Sequence, residues 1–209
     1  MNSKGVFITF EGPDGCGKST QSRCIYEVIR KRKIPALLTR EPGGTKLGER
    51  VRKILLDRET GEITSLSELL LYMAGRAQHV ETIIRPALAA GRVVLCDRFI
   101  DASEAYQGYG RGVPLPFVRE LNRISTGGLF PDRTILIDFD PKRSLAETSA
   151  RSKGKDRMEA LGLTFHKRVR KGYFEIAARE PERIRIVPRA HGIEKTTARI
   201  RKALEDILP

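Results

Sequence analysis

The sequence predicts an α/β fold, a five-stranded parallel sheet flanked by helices, on two observations: five short apolar runs, and longer segments of helical period alternating with them. The runs are GVFITFEG, PALLTREPG, RVVLCDRF, RTILIDFDP and RIRIVP. Each is rich in Val, Ile, Leu or Phe and bounded by Gly, Pro or charge, as strands buried on both faces are. Helical period runs from Lys18 to Lys33, Lys46 to Asp57, Leu66 to Ala90, Pro116 to Ser125, Lys142 to Arg151, Leu163 to Arg179 and Glu194 to Leu208. The 209 residues suit one domain, 1–209, able to bury about two-thirds of its unfolded surface. No internal repeat, low-complexity tract or interdomain linker interrupts the pattern. In such a sheet ligands collect beyond the carboxyl ends of the strands, here Gly12 to Ser19, Arg40-Glu41-Pro42, Asp97-Arg98 and Asp138 to Pro141.

With 40% hydrophobic and 31% charged residues the chain reads as globular, and no apolar run approaches the roughly 18 residues of a membrane span. The opening MNSKGVFITF has no apolar signal region ahead of a cleavage site, which predicts a cytoplasmic protein. Cys16, Cys24 and Cys96 form no C-x-x-C pair and stand apart from His79, His166 and His191, so neither a disulfide framework nor a zinc site is expected. Net charge is +13, and the stretch from Arg151 to Lys202 holds 16 basic and 6 acidic residues. An excess of that size fits an anionic partner, either nucleotide phosphates or a nucleic-acid backbone, and equally fits solvated helix faces. Aromatic residues make up 6% of the chain, without Trp and without basic-aromatic interleaving, so nucleic acid is not an expected partner.

EGPDGCGKSTQ, Glu11 to Gln21, carries the spacing G-x-x-x-x-G-K-S between a strand and a helix. Here Gly12, Gly15 and Gly17 let a backbone that also includes Pro13, Asp14 and Cys16 aim its N–H groups at phosphate oxygens. Lys18 reaches the outer phosphates, and Ser19, followed by Thr20, offers a hydroxyl to Mg²⁺. The helix adds its positive end. One lysine does not offset a nucleotide tail and a phosphoryl group in transfer, so further cations are expected from elsewhere in the chain. Cys16 sits at that positive helix end, where a thiol's pKa tends to fall, but reads first as a small residue tolerated for its size and only second as a reactive thiol. Beyond the third strand, Asp97 can orient Mg²⁺ through water and Arg98 can fork onto a phosphate. Tyr72 and Arg76 lie four apart on one helical face, a ring beside a guanidinium that suits a base and its phosphate. DASEAYQGYGRG reads as a polar loop in which Ser103 and Gln107 can bond a base edge and Tyr106 can wall off a sugar.

The segments FEGPDGCGKSTQ, TREPGGT, RAQHVETIIRPAL, CDRFIDASEAYQGYGRG, TGGLFPD, DRME and FHKRVRKGYFEIA follow one another with suitable gaps. From about residue 4 to residue 187 the chain resembles the bacterial thymidylate kinases. That resemblance implies a three-layer P-loop kinase fold with a short lid at about 150–159, transfer of the γ-phosphoryl of ATP to dTMP, Mg²⁺ as cofactor, and a homodimer. It assigns Gly12 to Thr20 to ATP, Asp14 to the 3′-hydroxyl side of dTMP, Tyr72 to stacking on thymine, and Arg76 and Ser103 to the base. Arg98 holds the acceptor phosphate with help from Arg40, and Glu41 stands on the water and metal side. Tyr106 excludes a 2′-hydroxyl and Gln107 lines the pocket. Within ARSKGKDRME, Arg151 and then Lys153 are the candidates for a transition-state cation, and Arg157 braces the closed lid and bound ATP. Two departures, Tyr72 in place of the usual phenylalanine and Gly75 before Arg76 in place of Ala, Ser or Asp, predict a looser or wetter base pocket. VPRAHG leaves the adenine contacts unassigned.

Arginines at the strand ends favour a monophosphate acceptor, which brings its own anionic oxygen, over a nucleoside hydroxyl, which needs a carboxylate base. Glu41 keeps a deoxynucleoside kinase as the nearest alternative. A basic nucleic-acid-binding ATPase is more distant, and a GTPase would need an [NT]-K-x-D motif that the chain lacks.

Overall fold

The computed structural model describes residues 5–151, 157, 158 and 160–208. Its five strands are β1 (Val6–Glu11), β2 (Ala36–Arg40), β3 (Val93–Asp97), β4 (Arg133–Asp138) and β5 (Ile184–Pro188). All pair in parallel in the order β2-β3-β1-β4-β5, so β1 is central and its carboxyl end opens between those of β3 and β4. Successive side chains of a strand point to opposite faces. Ile8 and Phe10 therefore join Ile25 and Ile29 of α1 (Lys18–Lys31) and Ile200 of α9 (Ile193–Ala203) in one buried layer. Phe7 turns the other way, toward Val80, Ile84 and Phe99. Glu11 shares the face of Phe7 and is fully buried.

The remaining helices are α2 (Lys46–Leu56), α3 (Ser65–His79), α4 (Arg85–Ala89), α5 (Ile100–Ser103), α6 (Leu115–Thr126), α7 (Pro141–Arg151) and α8 (Leu163–Arg179). Thr45 and Thr64 accept from the N–H groups of Gly48 and Ser67 at 2.9 and 3.3 Å, capping α2 and α3. No side chain caps α1, which starts at Gly17 (φ 100°) with no acid in its first turn. Its free N–H groups and positive dipole end are left for an external anion.

Two expectations need correction. The segment from Leu66 to Ala90 is helical throughout but not one α-helix: a π-helical turn, Val80–Ile84, separates α3 from α4. Pro86 lacks an N–H and crowds the carbonyl four residues back, which forces the ladder to widen ahead of it. Residues 101–112, expected as a polar loop, instead form α5 and a π-helical segment, Glu104–Gly110. Packing decides this, because Ala105 and Tyr106 bury against Phe165, Val169 and Tyr173 of α8.

Gly75 faces α2, not the pocket. A Cβ there would lie 3.7 Å from Val51 Cγ1 and 3.9 Å from the Gly48 Cα, ordinary contact distances. The looser base pocket expected from this glycine does not follow. Gly75→Ala should instead stabilise the protein by about 0.5–1 kcal/mol, because a mid-helix glycine loses more backbone freedom on folding. Thermal unfolding should shift up by roughly 2–4 °C, and a lower midpoint would contradict this packing.

Candidate active site

Three strand ends converge on the opening beside β1. After Glu11 the chain turns at Gly12 (φ 138°), where any Cβ would stand 2.3 Å from the Ile137 carbonyl of β4. Only glycine fits that approach. The turn wraps back so that Lys18 Nζ donates to the carbonyls of Gly12 and Pro13 at 3.0 and 2.8 Å. Ser19 and Thr20 are exposed in an open cleft that Gly15, Gly17, Lys18, Asp97 and Arg98 also line.

Asp97 and Arg98, adjacent in sequence, have separate partners. The Ser19 hydroxyl donates to Asp97. Arg98 adopts a left-handed backbone (φ 70°) that sends its guanidinium to Asp14, to the Tyr106 hydroxyl at 2.9 Å and to the Tyr173 hydroxyl at 3.1 Å. Tyr106 in turn donates to Asp14 at 2.7 Å. Burial alone would raise the Asp14 carboxyl, but Arg98, Lys18 and Tyr106 override it and hold the pKa at about 2.

Ser19 and Asp97 are the groups that fit a divalent cation. Among the described residues no three His, Cys, Asp or Glu side chains cluster as metal ligands. An ion beside this pair would take most of its shell from phosphate oxygens and water, the habit of Mg²⁺.

The end of β2 departs from expectation. Arg40, expected on the acceptor phosphate, is exposed and pairs with Glu49 at 3.0 Å on the rim of the cleft. Glu41, expected on the metal side, is buried with both oxygens occupied, by Arg76 Nε at 2.8 Å and His79 Nδ1 at 3.0 Å. Burial would raise its carboxyl, yet Arg76 and His79 hold it below the usual carboxylate range. It is an anchor for Arg76. Arg76 also donates to Ser103 (3.0 Å), Asn122 (2.6 Å) and the Phe99 carbonyl (2.9 Å), so four of its five N–H groups are taken within the protein. The fifth N–H, on Nη2, lies outside these four contacts.

Arg76 forms the floor of a second cavity, with Tyr72, Ser103, Tyr106 and Gln107 around it. Its outer wall depends on Glu68, which sequence reasoning missed. This buried carboxylate accepts from Gln107 at 2.9 Å, from Arg111 at 2.9 Å and from Arg157. Arg157 also donates to the Leu55 carbonyl at 2.8 Å, so it braces this wall rather than the ATP phosphates. A signal for Glu68 was present, since Glu68, Tyr72 and Arg76 step by four along one face of α3. Arg52 was missed too; it lines both cavities and donates to the Pro42 carbonyl at 3.1 Å.

Cys16 follows the packing reading over the reactive one. Its thiol is buried, and that burial pushes its pKa up despite Lys18 and Arg98 nearby. Lys153 lies outside the described residues, and Arg151 closes α7 with its side chain likewise outside them.

The cleft and the cavity meet. Asp14, Glu41, Arg52 and Arg98 line both, so molecules in the two spaces would face each other across Arg98.

A thymidylate kinase family model matches residues 10–200 of the chain. The chain is 48% identical to the thymidylate kinase of Gloeobacter violaceus, over 97% of this chain and 96% of that protein. It is 42% identical to the thymidylate kinase of Symbiobacterium thermophilum, over 98% of this chain and 94% of that one. Its structure is similar to the crystal structure of thymidylate kinase from Ehrlichia chaffeensis, with a TM-score of 0.77 and 36% identity, covering 96% of this chain and 98% of the other.

Proposed function

The chain belongs to the thymidylate kinase family, and from that premise we propose how its own residues carry out the ATP-dependent phosphorylation of dTMP to dTDP. ATP occupies the cleft. The residues from Gly12 to Thr20 and the uncapped start of α1 hold its phosphates, with Lys18 at the outer ones. dTMP occupies the cavity, its base between Tyr72 and the Arg76–Ser103 floor beside Gln107, its sugar against Asp14 and Tyr106, and its phosphate on Arg98. The observation that carries this reading is the shared boundary of the two spaces at Asp14, Glu41, Arg52 and Arg98.

The acceptor follows from the carboxylates. Asp14 and Glu41, the acids that line the cavity, are both held below the usual carboxylate range by their arginine partners, so neither is basic enough to remove a proton from a nucleoside hydroxyl. A monophosphate needs no such base. It needs cations and alignment, and Arg98 is preset for both. Ser19 and Asp97 would hold Mg²⁺, which neutralises charge on the bridging phosphates. Arg151 and Lys153 are the sequence-based candidates for the cation on the phosphoryl in transfer, with 150–159 as the lid of a single domain spanning 1–209.

A homodimer is supported by exposed Leu47 and Ile54 on α2, Leu66 and Leu70 on α3, and Phe117 and Ile124 on α6, apolar groups on helices packed side by side. No helix among the described residues is long and apolar enough to cross a membrane, which is compatible with a cytoplasmic enzyme.

An ADP-release assay over a panel of nucleoside monophosphates, with thymidine alongside, tests the reading. Turnover is expected with dTMP and none with thymidine. Phosphorylation of thymidine, or ATP hydrolysis that rises with DNA and ignores dTMP, would overturn it.

A further inference from the structure

We propose that Glu11 and Tyr173 are positioning residues for Arg98, fixing its backbone and its guanidinium from a single buried carboxylate. The inference rests on the reading of Arg98 as the holder of the acceptor phosphate. Glu11 sits at the end of β1, fully buried, with no place in the phosphate loop that follows it. Its Oε1 accepts from the backbone N–H of Phe99 at 2.7 Å and of Ala102 at 3.3 Å. Its Oε2 accepts from the Tyr173 hydroxyl at 2.7 Å, and the Tyr173 oxygen accepts from Arg98 Nη1 at 3.1 Å. One carboxylate thereby restrains the residue after Arg98 and, through Tyr173 of α8, the far end of its side chain.

Both restraints matter at this position. A non-glycine residue in the left-handed region is held there only when its surroundings fix it, and the Phe99 N–H bond does so next door. An arginine side chain has many rotamers, and holding one of them before the ligand arrives is the preorganisation that a transfer in line requires.

The chain of donors has a direction that depends on charge. With Glu11 ionised, Tyr173 donates to it and is free to accept from Arg98. With a proton on Oε2, Glu11 becomes the donor, and the tyrosine hydrogen loses its acceptor. The groups facing the carboxyl are Asp101 from α5, itself paired with Arg183, then Arg98 at the end of β3 and Tyr173 from α8. Lys18 and Asp14 lie beyond Arg98. Burial and then Asp101 push Glu11 up, Arg98, Tyr173 and the Phe99 N–H pull it down, and it settles at about 7. The Tyr173 link is therefore complete above pH 7 and weakened as pH falls through it, while Oε1 keeps the Phe99 N–H.

The test is the pH dependence of kcat and of both KM values between pH 6 and 8.5 for wild type, Tyr173→Phe, Glu11→Gln and Arg98→Ala. Tyr173→Phe should raise the dTMP KM about tenfold, the worth of one hydrogen bond to a charged group, with the ATP KM within twofold of wild type. The amide introduced by Glu11→Gln would donate to the tyrosine oxygen at every pH and so mimic protonated Glu11. The dTMP phosphate also titrates near about 6, in all variants alike. The gap in dTMP KM between wild type and Glu11→Gln should thus be wide at pH 8.5 and close toward pH 6. A gap of constant size overturns the proposal, as does a Tyr173→Phe KM within twofold of wild type. Should Glu11→Gln not fold, Tyr173→Phe, which deletes one oxygen, decides alone. Arg98→Ala separates the two levels. An unchanged dTMP KM there sinks the reading of Arg98 itself, whereas a dTMP KM raised about a hundredfold beside an unaffected Tyr173→Phe sinks only the role given to Tyr173 and Glu11.

Discussion

Lys18→Ala is expected to lower kcat for dTMP phosphorylation about a thousandfold, close to 4 kcal/mol of transition-state stabilisation. The ammonium is buried and bound to the Gly12 and Pro13 carbonyls, so the loop holds it in place before any nucleotide arrives. Little rearrangement is needed at the moment of transfer, and preorganised charge of this kind is where removal costs most. No other cation lies within the loop, whose remaining positions are Gly, Pro, Asp and Cys. The fold should survive, because Lys18 itself lines the open cleft, from which water can take the place of its ammonium. Steady-state kinetics with circular dichroism checks both halves. More than about a tenth of the wild-type kcat would mean that other cations carry the transferring group.

The second large effect is on stability. Arg76→Ala should destabilise the protein by about 3–5 kcal/mol, as removing one partner of a buried ion pair does. Glu41 would keep only His79, while Ser103, Asn122 and the Phe99 carbonyl would each lose a donor. That is a large share of the roughly 5–15 kcal/mol a domain of this kind has in total. Arg76→Lys should recover little, since a point charge cannot reach four acceptors at once. Denaturant unfolding gives the number directly. A loss under about 1 kcal/mol would show that the network is not what holds this pocket together.

What could be read in the sequence was what is local. Each strand was visible because a strand buried on both faces is a continuous apolar run, and the phosphate loop because eight consecutive residues carry its geometry. The arginine network was not visible, because its members are brought together only by the fold. Glu41 is 35 residues from Arg76, Asp14 is 84 from Arg98, and Glu11 is 162 from Tyr173. In sequence Glu68 looks like a residue of a solvated helix, yet it is buried, as is Arg76. Residues 101–110 looked like a loop for a similar reason: their small and polar side chains are chosen by α8, which follows some sixty residues later. The reactive reading of Cys16 weighs the helix end alone, and burial outweighs it.

The Asp14–Arg98 pair has a consequence for selectivity. With its carboxyl at about 2, Asp14 is an anion at any working pH and acts as a resident counterion for Arg98, the arginine proposed to receive dTMP. Every visiting anion must therefore compete with a tethered one. Inorganic phosphate can only exchange one partner of Arg98 for another, and it leaves Asp14 stranded with Tyr106. A deoxynucleotide offers Asp14 a sugar hydroxyl in return for the guanidinium it gives up. The empty site is thus protected from the most abundant small anions in a cell by a competitor it carries itself.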